Sequence, residues 1–203
     1  MTKTDAMRNF ARLIVLSTLI LAAPNTLRAD ARADGEQGIL EYRKGNLIEA
    51  MQLLEKSAAE GYAPAQTTLA FILDLAERDA QAVHWYRQAA DRNDAGGLFG
   101  LGRMYSKGEG VEKDPLKAGQ LIKQAAQLDH AEAMRFYANA LESGQLGFDP
   151  APRSAAEWYQ KAAERGDKPA MNRLKQAYTQ GQLGLPVDAG KAEAWNDKIN
   201  QSD

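Results

Sequence analysis

The side chains that could carry bond-making chemistry in this chain are few and scattered. Only two histidines occur, His84 and His130, and neither has a second ligand at a metal-binding spacing, so no metal site is expected. His84 stands alone on a helical stretch, and His130 falls at a turn position that reads as solvent-facing. Ser57, Ser106, Ser143 and Ser154 lack the strand-turn-helix context of an activated nucleophile. Glu142, Glu157, Glu164 and Glu193 alternate with basic residues in the manner of a solvated helix face, not of a paired general acid and base. The glycine pairs Gly108/Gly110 and Gly144/Gly147 lack the Lys-Ser/Thr that follows a phosphate-binding loop. No catalytic residue, cofactor or metal is therefore assigned, and the chain is not expected to be an enzyme.

The elements that carry these residues repeat. Ala50, Ala82, Ala118, Ala155 and Ala192 lie 32, 36, 37 and 37 residues apart. Three residues after each stand Leu53, Trp85, Leu121, Trp158 and Trp195; four after, Leu54, Tyr86, Ile122, Tyr159 and Asn196. Small pairs follow at seven and eight, as in Ala125-Ala126 and Ala162-Ala163, giving one apolar helix face per unit. Trp85, Trp158 and Trp195 could stack a ligand, but their shared offset reads as core packing, and Trp158→Ala is then expected to cost ~3–5 kcal/mol. Tyr42, Tyr105 and Tyr178 close first helices and read as structural.

Composition sets the class. The 203 residues are 44% hydrophobic and 26% charged, rich in helix formers and without cysteine, which excludes disulfides and thiol chemistry. Residues 1–33 read as an export signal and short leader. Lys3, Arg8 and Arg12 precede an apolar run from Leu13 to Ala23, too short to span a bilayer as a mature helix, and Pro24 ends it. Cleavage after Ala29, Ala31 or Ala33 fits the small-residue pattern, and an uncleaved anchor is the alternative. The chain is accordingly expected in the periplasm or secreted, with no stable membrane span after cleavage. Of the net charge of −2, the segment through Ala29 carries +3, leaving the remainder at −5, which argues against nucleic acid.

Residues 34–203 divide into five units of two helices, at about 34–61, 62–93, 94–129, 130–166 and 167–203. Lys44-Gly45-Asn46 turns the first, and Asp114-Pro115 begins a second helix with an acceptor for free amides followed by a residue that has none. Gly144-Gln145-Leu146-Gly147-Phe148 and Gly181-Gln182-Leu183-Gly184-Leu185 are nearly the same turn, and Val111, Phe148 and Leu185 read as apolar plugs pinning each turn to its helix pair. The last helix replaces the small pair with Ile199-Asn200, as a capping unit does.

Leu101-Gly102-x-x-Tyr105, Gly108-x-Gly110-Val111, Asp114, Ala118 and Ala125-Ala126 resemble the Sel1-like repeat, a relative of the tetratricopeptide repeat. The resemblance covers roughly Tyr62 to Ile199; the absence of cysteine sets the chain apart from exported members with a disulfide in each repeat. It implies an all-α fold, a right-handed α-solenoid of about five antiparallel helix pairs, and an adaptor or scaffold binding a protein or peptide through a concave groove. First helices would line that groove. Two columns of residues project from them, Thr67, Phe99, Arg135 and Asn172, then Phe71, Arg103, Asn139 and Gln176. Their variety within a constant frame fits a partner-binding face and fits plain solvent exposure equally. A cell-wall-active enzyme and a glycan-binding envelope protein are the alternative functions.

Overall fold

The computed structural model of the protein describes residues 29–201. Ten helices and no strand occur among them: α1 (29–44), α2 (Leu47–Ala59), α3 (Ala63–Leu75), α4 (Asp79–Ala90), α5 (Ala95–Lys107), α6 (Pro115–Gln127), α7 (Ala131–Ser143), α8 (Pro152–Glu164), α9 (Lys168–Gln180) and α10 (Ala189–Gln201). The expected class, an all-α repeat of helix pairs, is what the chain forms. The basic start and apolar run of the expected export signal lie outside the described residues. No described helix is long and apolar enough to cross a membrane.

Local sequence sets most helix ends. Asp94, Asp114 and Asp167 accept from the backbone amides of Gly97, Lys117 and Ala170 at 2.8, 3.0 and 2.8 Å, capping α5, α6 and α9. Gly108, Gly144 and Gly181 close α5, α7 and α9 at φ of 85, 66 and 68°, left-handed backbone that costs glycine nothing. The glycine-free connection after α3 makes the same turn with Glu77 at φ 55°.

The chain forms two compact units, one through Leu69 and one from Ala70 onward, with the boundary inside α3. In the first, Ala50, Leu54, Ala58, Ala65 and Leu69 are buried around Ser57, whose hydroxyl donates to the Ala31 carbonyl at 2.5 Å. Packing thus reaches back past the boundary at 34 read from sequence. Glu41, buried, is satisfied by Gln37, Lys44 and Asn46 at 2.7, 2.9 and 2.5 Å.

In the second unit each helix from α5 to α9 packs on the one before and the one after. Close approach is made by small residues: Ala125, Ala133, Ala162 and Ala170 are 0% exposed, and a Cβ on Gly97 would lie 2.5 Å from that of Ala89. The largest fully buried side chain is Tyr159 of α8, and Tyr86 of α4 is also buried. Their neighbours Trp158 and Trp85, like Trp195, are half-buried. Trp158 lies edge-on to Tyr137 at 5.3 Å with the Lys161 ammonium 4.2 Å above its ring. The tryptophans cover the core, and the tyrosines fill it.

The turn plug Phe148 also reaches beyond its own pair. Phe148 meets Tyr137 of α7 at 5.0 Å, and the same turn rests on Gly119 of α6, where a Cβ would stand 2.3 Å from the Leu146 carbonyl oxygen and 3.0 Å from the Phe148 ring. Leu146 and Leu183 themselves take φ of 55 and 56°, so the turn geometry is not left to glycine alone.

Candidate functional site

The two columns of first-helix residues have different surroundings. In the column of Thr67, Phe99, Arg135 and Asn172, the two middle members are withdrawn into the fold. Phe99 is 5% exposed, its ring 5.0 Å from that of His130 and 5.1 Å from that of Phe136. Arg135, its side chain 18% exposed, donates to Asp167 at 3.0 Å and to Glu132 at 3.3 Å, and its guanidinium lies 4.9 Å from the centre of the Phe136 ring. Both therefore reach the residue that caps the next unit's first helix. They form junctions between repeats. Thr67, in the first compact unit, is half-buried, and Asn172 is exposed with its amide on the Lys168 carbonyl at 3.2 Å.

The other column is displayed. Phe71 is 37% exposed, Asn139 and Gln176 are exposed, and Arg103 is half-buried. Arg103 makes no hydrogen bond or ion pair among the described residues, so its guanidinium is left with donors to offer. Asn139 is oriented from behind by the Tyr159 hydroxyl of α8, which contacts its side-chain oxygen.

That hydroxyl belongs to a network no sequence pattern pointed to. It lies 2.8 Å from a Glu142 oxygen, and Arg173 of α9 meets both oxygens of the same carboxylate, at 2.5 and 3.2 Å. Arg173 also donates to Gln182 at 2.9 Å. The guanidinium holds Glu142 below the usual carboxylate range, while burial, reinforced by that carboxylate, pushes the Tyr159 phenol up. Glu142 is thus an inter-repeat clamp and not part of a solvated face. The available signal was Tyr159 itself, because a buried phenol needs a polar partner.

His130 is likewise reassigned. Its place in the repeat is the N-cap position of Asp94 and Asp167, and its Nδ1 accepts from the Ala133 amide at 3.2 Å. Burial lowers its pKa from the ordinary value, against the opposing pull of Glu132 and Asp94. Tyr105 receives Lys117 at 2.8 Å, which lowers that phenol's pKa. No group of three or more His, Asp or Glu among the described residues is placed to hold a metal ion. The arrangement offers hydrogen-bonding and ionic contact along one helix row.

Comparison with known proteins matches the Sel1 repeat model at residues 35–62, 77–94, 95–130, 131–167 and 168–195. The structure is similar to the Sel1 repeat protein from Oxalobacter formigenes, with a TM-score of 0.76 at 29% identity over 83% of this chain and 70% of that one. It is also similar to c5321, a protective antigen of uropathogenic Escherichia coli with an SLR fold: TM-score 0.71, 29% identity, 88% of this chain and 41% of that one. In sequence, 116 residues are 33% identical to an uncharacterized protein of Neisseria meningitidis serogroup B, a match covering 55% of this chain and 24% of the relative. The chain spans about a quarter of the length of that curated relative.

Proposed function

Because this chain belongs to the Sel1 repeat family, whose helical scaffolds typically serve protein–protein contact, we propose that it holds a protein or peptide partner in the cell envelope against its first-helix row. The single observation that carries this reading is the displayed column of α5, α7 and α9. Arg103, Asn139 and Gln176 present one charged and two amide side chains in register at successive repeats, on a frame otherwise committed to packing. Amides of this kind bond the backbone of an extended segment, and a guanidinium meets a carboxylate. The work done is binding on a preorganised surface. The reading of residues 1–33 as an export signal supports an envelope location for the partner.

Arg103→Glu alone is the test. Crosslinking capture from periplasmic extract by the mature chain is expected to lose its partner with this substitution while helicity is unchanged. Capture of the same proteins by both forms removes the first-helix row from consideration. Arg135→Glu is unsuitable as a binding probe, since it sets a third carboxylate against Asp167 and Glu132 and disturbs the junction instead.

A further inference from the structure

Three first helices of the second compact unit begin with a side-chain N-cap at the same repeat position, and the cap varies: Asp94, His130, Asp167. The residue that meets the cap from the preceding repeat varies with it. Arg135 reaches Asp167 through an ion pair at 3.0 Å, whereas Phe99, at the equivalent position one repeat earlier, meets the His130 ring at 5.0 Å. One junction is ionic and the other aromatic. An aspartate accepts an amide hydrogen bond throughout the neutral and mildly acidic range, but an imidazole nitrogen accepts only while it carries no proton.

We propose that the α5–α7 junction is a proton-operated latch, in which a proton taken from solvent by His130 Nδ1 breaks the cap on α7 and loosens that helix's first turn. The added proton occupies the atom that now accepts the Ala133 amide, so two donors face each other across 3.2 Å. The imidazolium also stands at the positive end of the helix dipole. The charged groups facing the ring are Asp94 at the start of α5 and Glu132 on α7, and both favour the proton. Burial against Phe99 and the chain around it opposes the proton and prevails, since the pKa is lowered overall. With the folded pKa depressed, the stabilisation is fully present above the ordinary imidazole value of about 6.5 and is lost as pH falls through the folded value. Any effect on partner binding rests on the function proposed above; the loosening itself is read on the chain alone.

Amide hydrogen exchange of the full chain without partner, corrected for intrinsic rates, at about pH 7.5 and about pH 5 tests the latch. Protection at Ala133, Met134 and Arg135 is expected to fall about tenfold at the lower pH, the size of losing one cap. The equivalent amides Ala170, Met171 and Asn172, capped by Asp167, are expected to hold and serve as an internal control. His130→Asp should abolish the change; His130→Asn does the same should the aspartate disturb the aromatic contact. Unchanged protection in the natural chain, an equal fall at both helices, or an equal fall in the variants overturns the proposal.

Discussion

Tyr159→Ala is expected to lower the unfolding free energy by about 3–5 kcal/mol, the range for removing a large ring from a closed core. Tyr159 is 1% exposed, and the small residues Ala155, Ala156, Ala162 and Ala163 of its own helix are held at 5% or less, leaving little slack to refill the space. Its hydroxyl adds a polar term through Asn139 and Glu142. The carboxylate is not orphaned by the truncation, because Arg173 keeps both of its oxygens, so the loss is dominated by volume. Tyr159→Phe, which removes only the hydroxyl, is therefore expected to cost about 1 kcal/mol. Trp158→Ala is expected to cost less than Tyr159→Ala, since its ring is half-buried. Urea unfolding followed by circular dichroism orders the three variants. A Tyr159→Ala cost below that of Trp158→Ala contradicts the assignment of core and cover.

The second large effect is expected at Gly119, where valine should destabilise the fold by about 3 kcal/mol through overpacking. The added Cβ meets the Leu146 carbonyl oxygen at 2.3 Å. That oxygen is main chain, held in a run of left-handed residues at Gly144, Leu146 and Gly147 with φ of 66, 55 and 81°, and it has no rotamer by which to move away. The repeat itself does not demand glycine there, because Val83 and Ala156 occupy the equivalent positions and are buried. What differs is the descending turn. Gly110 of the preceding turn and Gly147 of this one both approach the start of the second helix before them, where an added Cβ would lie 2.6 Å from Asp79 and 2.3 Å from Leu116, and only in this junction does Leu146 add a further approach, to Gly119. Thermal unfolding of Gly119→Val measures the effect. A shift no larger than that of an ordinary surface substitution would mean that the turn is free to lift off α6.

The sequence by itself determined the frame of this protein. The repeat spacing, the helix pairs, the aspartate cap at Asp114 and the glycine turns at Gly108, Gly144 and Gly181 follow from local rules, and the caps at Asp94 and Asp167, which the structure adds, obey the same rule within three residues. A cap and the amide it serves are neighbours in the chain, so their types and spacing are legible together. His130 holds the same place in that frame but was hidden by its type, because imidazole is a rarer cap than carboxylate.

Only the tertiary structure decided which residues the frame displays. Phe99 and Arg103 are four positions apart, only about 40° different around an α-helix, and periodicity puts both on one face. What separates them is where the next repeat's first helix begins. Its cap falls 31 or 32 residues further along the chain, at His130 for Phe99 and Asp167 for Arg135, and draws these two side chains into the junctions while Asn139 and Gln176 stay in the open. The same holds for Trp158 and Tyr159, adjacent in sequence and both apolar in pattern, of which the neighbouring helices bury one and leave the other as cover. Glu142 and Arg173 meet across 31 residues for the same reason. A helical period fixes a direction to within a side chain's width, and the depth to which that direction is submerged is set by an element that is distant in the chain.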